Sequence, residues 1–213
     1  MRSKYLDAQQ KSIKWKVIRS AMITGKWEVE RSGRKVESKC DLCHCSLEVH
    51  HAFADCSKVK EFWSRIHFIA KKLKIEPRQN NLIPEKWHRI SGIRDYNLRG
   101  EIEERWQIIH SVALQSINNK FWKYKIDGSA YDSHILWGDF TNRLKHNIQR
   151  SFAVAKRQDS SRYVKMLRKK WKIREDDLSP DLDELKRVWH IPNLIDFNGD
   201  KYITFKKDLF DRI

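Results

Sequence analysis

Glycine and proline are scarce in this chain, with seven and four among its 213 residues. So few interruptions, together with 40% hydrophobic residues and nine tryptophans, are typical of a helix-rich globular protein and exclude a disordered one. The length suits one large domain or two small ones.

Apolar runs are short throughout, and none approaches the roughly 18 consecutive apolar residues that a membrane span needs. The first ten residues contain no apolar run either, so we expect no secretory signal. These absences predict an intracellular protein, nuclear or cytoplasmic, that makes no contact with a membrane.

Catalytic motifs are also lacking. The sequence has no phosphate-binding glycine loop, no G-x-S-x-G and no H-x-E paired with P-C-x-x-C. Five histidines lie singly along the chain, and a lone histidine on a helix is more often structural than catalytic. They are His88, His110, His134, His146 and His190. We therefore expect a protein that is not an enzyme.

Acidic residues are too few to balance the basic ones, because 44 Lys and Arg face 28 Asp and Glu, for a formal net charge of +16. Such a surplus favours polyanionic partners, nucleic acid first. The densest basic stretch runs from Lys156 to Arg174, with Asp159 as its only acid. Phosphate contacts from such a stretch are independent of base sequence and sensitive to salt. The predicted contacts to RNA or DNA are Arg162, Lys165, Arg168, Lys169, Lys170 and Lys172.

Two aromatic residues, Tyr163 and Trp171, lie within this basic stretch. They either stack on unpaired bases or belong to the core, and we favour the core.

Cysteines are few and clustered, since all four lie between Cys40 and Cys56. Cys40, Cys43, His51 and Cys56 form the pattern C-x2-C-x7-H-x4-C. In a reducing compartment a tight cluster of this kind more often binds metal than forms disulfides. Three thiolates and an imidazole suit Zn²⁺, and four protein ligands leave no open position, so the pattern predicts a structural zinc site.

The ligand set has alternatives. Cys45 can replace Cys43, and His44 or His50 can replace His51. We favour Cys40 with Cys43 because C-x2-C is the commoner metal-binding turn. The competing interpretation is that the cysteines are free thiols in a buried loop.

Hydrophobic periodicity predicts a mainly α fold. Helices are expected over 5–22, from Ser57, over 101–126, from Ser133 and over 160–172. Asp55 or Ser57 is expected to cap the second of these helices, and Ser133 the fourth. A short extended pair over 26–39 would place a zinc knuckle on a β-hairpin, and Asn198-Gly199 predicts a second, C-terminal hairpin. The expected divisions are a zinc-binding region over 1–76, a linker over 77–100, a helical bundle with a basic face over 101–174, and an acidic tail over 175–213.

The string C-x2-C-x4-E-x2-H-A-F-x2-C-x6-W runs from Cys40 to Trp63. It resembles the zinc-binding region that follows the polymerase domain in reverse transcriptases of non-LTR retrotransposons, including fungal ones. The resemblance covers about residues 10–70. It implies that Cys40, Cys43, His51 and Cys56 are the metal ligands and that Phe53 and Trp63 pack beneath the knuckle.

The polymerase of that family holds two metal ions with a Tyr-x-Asp-Asp hairpin, and this chain has no such string. The resemblance therefore implies a detached C-terminal region of such an element, a non-catalytic, zinc-stabilised protein that binds nucleic acid. The alternatives are a zinc-stabilised module for protein interaction and a decayed fragment without a selected function.

Overall fold

The computed structural model describes residues 5–22, 24, 38–73, 75, 86–92, 100–160, 181–192, 194–198, 202–206 and 210. The extended pair predicted over 26–39 lies outside these ranges except for its last two residues. The helix predicted over 160–172 and its cationic residues also lie outside them.

The described residues are mainly helical, which confirms the predicted fold class. The helices are α1 (Ala8–Ile18), a π-helical turn (His51–Asp55), α2 (Ser57–Lys72), α3 (Lys86–Ser91), α4 (Glu101–Asp127), α5 (Ser133–Ser160) and α6 (Leu182–Trp189). Strands β1 (Ile195–Asn198) and β2 (Tyr202–Phe205) pair antiparallel, with Ile195 opposite Phe205 and Asn198 opposite Tyr202. The C-terminal hairpin predicted from Asn198-Gly199 is therefore present.

Helix α4 is the centre of the fold. Every residue from Ile108 to Ile117 is buried, so no face of this stretch is left to solvent. It packs against α1, α2, α5, α6 and the π-helical turn. None of the helices among the described residues is both long and apolar enough to cross a bilayer.

Buried polar groups on α4 connect it to its neighbours. The His110 Nε2–H donates to the carbonyl oxygen of Arg89 in α3 at 2.7 Å. The Arg105 guanidinium donates to the carbonyl oxygens of Val188 at 2.7 Å and Leu73 at 3.0 Å. These bonds satisfy groups that would be costly to bury unpaired, and they tie the ends of α2, α3 and α6 to one helix.

Two helix caps differ from the prediction. Helix α5 is capped by Asp132, whose Oδ1 accepts from the Ile135 N–H at 2.9 Å, and Ser133 is its first helical residue. Helix α2 follows Cys56, which makes no side-chain capping bond, so neither Asp55 nor Ser57 is its cap. Cys56 is the one residue between the π-helical turn and α2, so the cap position holds a cysteine instead of a Ser, Thr, Asp or Asn side chain.

Sequence periodicity missed α6, which lies in the segment expected to be an acidic tail. Asp181 caps this helix by accepting from the Glu184 N–H at 2.7 Å. Its apolar side chains, Leu182, Leu185, Val188 and Trp189, are all buried. This part of the predicted tail therefore packs on the bundle.

The segment predicted to be a linker contains α3, which packs against α1 and the π-helical turn. Ile90 is fully buried, and Arg89 lies 3.6 Å from Asp55. This part of the segment belongs to the core, because an exposed spacer would bury neither side chain.

Lys14 is an unusual buried charge between α1 and α4, where its Nζ donates to Gln107 Oε1. Burial lowers the pKa of Lys14 to about 8, although Glu103 and Glu104 oppose the shift. A lowered lysine pKa means that the folded state disfavours the charged form.

We expect Lys14→Met to raise the free energy of unfolding at pH 7 by on the order of 2–3 kcal/mol. Between pH 8 and about 10.5 the unfolded chain keeps a proton that folded Lys14 has released, so the parent protein gains stability with pH and the variant gains less. Urea titrations at pH 7 and pH 10 measure this difference. The exposed Lys16→Met is the control, and equal stabilities for the two variants would contradict the prediction.

Candidate metal centre

The first two cysteines lie in a tight turn that the backbone closes. The Cys40 N–H donates to the Cys45 carbonyl at 2.8 Å, and the His44 N–H donates to the Cys40 carbonyl at 2.7 Å. A bridge between Lys39 and Ser46 extends the closure by one pair. His44 has a left-handed φ of 57°, a conformation that histidine tolerates better than most residues. The turn holds Cys40 and Cys43 on one short loop.

The other two members lie at the ends of the π-helical turn, where the Cys56 N–H donates to the His51 carbonyl at 2.9 Å. In an α-helix, side chains five residues apart point about 140° away from each other. A wider π turn brings them closer to one side, which is one reason such turns occur at functional sites. Here the π turn makes the x4 spacing between His51 and Cys56 usable for one site.

The turn and the π helix together bring four predicted ligands into one cluster. One donor atom each from Cys40, Cys43, His51 and Cys56 lies within 4.8 Å of all the others. Cys43 Sγ and His51 Nε2 are 3.2 Å apart. Cys40, His51 and Cys56 are buried, Cys43 is half-buried, and all four cysteines of the chain are free thiols.

These distances fit a metal ion. A tetrahedral ion with bonds of about 2.0–2.3 Å holds its donors roughly 3.5–3.8 Å apart, and the observed donors reach that spacing with small side-chain rotations. The four residues could therefore hold one metal ion with no position left for substrate or water.

The thiols of the cluster ionise unequally. Burial raises the pKa of Cys56 to about 12 and also raises that of Cys40. Burial opposes ionisation of Cys43 too, but hydrogen bonds from the Cys45 backbone and from neighbouring thiols outweigh it and lower the pKa of Cys43. Since metal binding needs thiolates, an ion entering this site displaces the protons that the thiols carry, and the raised pKa values of Cys40 and Cys56 make those two thiols the harder to ionise.

Side chains near the C-terminal end of α4 contact the loop that carries Cys40 and Cys43. Asp41 accepts from the Lys125 Nζ at 2.5 Å and from the Tyr124 hydroxyl at 3.3 Å. The hydrogen bond from Lys125 is the main reason that the pKa of Asp41 lies below its usual value. The loop that carries the first two cysteines is thus fixed to the end of α4.

Tyr131 lies beneath the cluster in the loop between α4 and α5, and its ring stacks on Tyr124 with 5.8 Å between centroids. Its buried hydroxyl has no hydrogen-bond partner among the described residues. Tyr131 lines a cavity of about 10 Å³, together with Cys40, His51 and Cys56. A buried donor beside thiolates can stabilise their charge, as groups around metal ligands commonly do. No local pattern marks this residue in the sequence, because it is brought to the site only by the packing of α4 and α5.

The alternative ligands lie elsewhere. Cys45 is exposed and is not among the four clustered donors. His50 Nε2 lies 3.4 Å from Ser20 Oγ, and His44 is exposed on the turn. The geometry thus gathers the favoured set and none of its substitutes.

The predicted nucleic-acid contacts Arg162, Lys165, Arg168, Lys169, Lys170 and Lys172 lie outside the described residues. Immediately before them, the last turns of α5 expose Arg150, Lys156 and Arg157. The described end of α5 is therefore basic.

No family model, curated protein or solved structure matches this chain.

Proposed function

We propose that Cys40, Cys43, His51 and Cys56 hold one structural Zn²⁺. Three thiolates and an imidazole are the borderline-soft donors that zinc prefers in closed tetrahedral sites. The cluster also joins two segments, the turn at Cys40 and the π-helical turn. An ion bound there would contribute on the order of 10–16 kcal/mol of binding free energy to the folded state at neutral pH.

The metal is identified by elemental analysis of the purified chain after growth without added metals. One zinc per chain supports the proposal. Replacement by Co²⁺ should then give the strong visible bands of tetrahedral sulfur-rich coordination. Weak bands typical of octahedral coordination would contradict a closed four-ligand site.

We further propose that the chain is a non-catalytic nucleic-acid-binding protein, similar to a detached C-terminal region of a non-LTR retrotransposon reverse transcriptase. The observation that carries this proposal is the net charge of +16 on a folded helical body with a Cys/His cluster. A surplus of this size attracts polyanions over several ångströms and opposes self-association.

The position of the basic residues supports the same proposal. The exposed Arg150 and Lys156 on α5 lead directly into the densest cationic stretch of the sequence, residues 156–174. Contacts from Arg162, Lys165, Arg168, Lys169, Lys170 and Lys172 to phosphates would bind RNA or DNA without reading base sequence.

Charge reversal in this stretch should weaken binding strongly. We expect the triple variant Lys165→Glu, Arg168→Glu and Lys169→Glu to bind a labelled 20-nucleotide single strand at least tenfold more weakly at about 0.1 M salt. The variant makes fewer phosphate contacts, so binding releases fewer counterions from the strand. The measurement is fluorescence anisotropy over a series of salt concentrations. The slope of log affinity against log salt should also become shallower.

The matched control reverses three exposed lysines of α2, Lys58, Lys60 and Lys71, which changes the net charge equally. An equal loss of affinity in the control would show that total charge, and not this stretch, binds the strand. Absent or salt-independent binding by the parent chain would favour a protein-interaction module or a decayed fragment. A Tyr-x-Asp-Asp reading frame immediately upstream in the genome would support the retrotransposon origin.

A further inference from the structure

An open groove of about 470 Å³ runs between α1 and α4. Ile13 and Met22 supply apolar surface, and Trp122 forms part of the α4 wall. Ser12 and Lys16 line the α1 side. The groove thus combines an aromatic residue, apolar walls and one cation.

The groove has the size and composition of a ligand site. Pockets that bind small molecules or single groups span roughly 300–1,000 Å³ and combine apolar walls with a few polar groups. Asn118 Oδ1 accepts no hydrogen bond from the described residues, and its Nδ2 donates to Asn119 Oδ1 at 3.2 Å. No acidic residue is found among the described residues that line the groove.

An aromatic and basic stripe on α1 adjoins the groove. Ser12 and Lys16 line the groove. Trp15 and Arg19 do not line it, but they lie three or four residues from Ser12 and Lys16 and so extend the same side of the chain. All four are exposed, and the Trp15 side chain is 54% exposed. Leaving a tryptophan ring in water forgoes the free energy of burying it, so a function for the exposed ring is worth testing.

This combination selects one occupant. An anionic ligand suits Lys16 and Arg19, and a flat unsaturated ring suits the two tryptophans. An unpaired nucleotide supplies both, since its base stacks on aromatic side chains and its phosphate pairs with cations.

We propose that the groove between α1 and α4 binds an unpaired nucleotide of a single-stranded nucleic acid. Trp122 in the groove and Trp15 beside it stack on bases, and Lys16 and Arg19 contact phosphates. This site rests on the proposed nucleic-acid function and adds to it a location away from the basic stretch after Lys156.

The test fills the groove and removes its exposed ring. Ser12→Phe places a ring in the groove at an exposed helical position, and Trp15→Ala removes the aromatic ring beside it. Each should bind a 12-nucleotide oligouridine about five- to tenfold more weakly than the parent, since one base stack on an aromatic ring is lost. Ser64→Phe, at an exposed serine of α2, is the matched control for the first variant. The pair Phe68→Ala and Lys72→Glu controls for loss of an exposed ring and a neighbouring charge, because Lys72 lies over Phe68 at 4.8 Å.

A second measurement locates the strand directly. Ultraviolet crosslinking of a 5-iodouridine-substituted strand, mapped by mass spectrometry, should give adducts at Trp15 or Trp122. If the parent binds but Ser12→Phe and Trp15→Ala bind equally well, or if Ser64→Phe weakens binding as much, the groove site is wrong and nucleic-acid binding stands. If the parent binds no single strand at all, the proposed function fails and the groove site with it.

Discussion

A Cys43→Ser chain is expected to lose its tightly bound metal, whereas a Cys45→Ser chain keeps one ion. The two cysteines lie on the same turn, but only Cys43 belongs to the cluster of four donors. Serine keeps the size of the side chain but offers no soft thiolate, so the affinity lost is that of one metal–sulfur bond. His51→Ala should behave like Cys43→Ser, because it removes the only nitrogen donor of the cluster.

The loss should also appear in stability. A structural zinc site contributes on the order of 10–16 kcal/mol of binding free energy, and loss of one ligand should remove several kcal/mol of the stabilisation. The described segment over 38–56 has few hydrogen-bonded elements of its own, so hydrogen exchange there should rise first. The core of α4 should stay protected because its contacts with α1 and α5 involve none of the four ligands.

These effects are measured by elemental analysis, native mass spectrometry and thermal melting. The proteins compared are the parent chain and the variants Cys43→Ser, Cys45→Ser and His51→Ala. One ion per chain in Cys43→Ser, with an unchanged melting temperature, would remove Cys43 from the ligand set. Metal loss in Cys45→Ser would restore Cys45 as a ligand and contradict the observed cluster.

The sequence predicts the long helices well because their signal is local. The apolar positions of α2, α4 and α5 recur at helical spacing over many residues. The starts of α2 and α4 fall where they were predicted, and α4 ends one residue after the predicted Ile126. Caps are less predictable, since several oxygens compete for the same N–H groups. Asp132 and Ser133 are both good candidates for capping α5, and only the structure shows that the carboxylate accepts the bond.

Helices α3 and α6 were missed for a different reason. Each is short, and a short helix has little stability of its own. Tertiary contacts supply the rest: α6 buries Trp189 against the bundle and receives a hydrogen bond from Arg105 on α4. Such support comes from residues far away in the chain, so no window of sequence around α6 contains it.

The candidate site, like the fold, has features that local sequence predicts and features that depend on distant packing. Spacing favours the C-x2-C pair as the commoner metal-binding turn, but it leaves another cysteine and two other histidines open as substitutes. The π-helical geometry that aligns His51 with Cys56, and the approach of Tyr131 and Lys125 from the bundle, depend on packing. The sequence therefore limits the donors to a few residues, and packing decides which of them meet.

Trp63→Ala is expected to be the most damaging single change outside the metal ligands. The Trp63 side chain is fully buried, and its ring stacks on His110 with 5.5 Å between centroids. Its Nε1–H donates to the carbonyl oxygen of Phe53, inside the π-helical turn, at 2.8 Å. Truncation leaves both a cavity and an unpaired buried carbonyl, and we expect it to lower the free energy of unfolding by about 3–5 kcal/mol.

Two further variants separate the loss of packing from the loss of the hydrogen bond. Trp63→Phe keeps most of the packing and removes the hydrogen bond, so its cost should be about 1–3 kcal/mol. Trp15→Ala removes an exposed tryptophan and should stay within about 0.5 kcal/mol of the parent. Urea titrations with zinc and with a chelator measure all three. A Trp63→Ala midpoint close to that of Trp15→Ala would contradict the packing assigned to Trp63.

The same titrations test whether Trp63 supports the metal site. Trp63 donates a hydrogen bond to the π-helical turn, which carries His51 and leads into Cys56. The ring therefore positions two of the four donors and is not itself one of them. Trp63→Ala should therefore reduce the extra stability that zinc confers, while Trp15→Ala should leave it unchanged. An undiminished zinc effect in Trp63→Ala would mean that the ion alone organises the turn. A diminished one would show that the core of the bundle preorganises the site, which is the arrangement that the hydrogen bond to Phe53 implies.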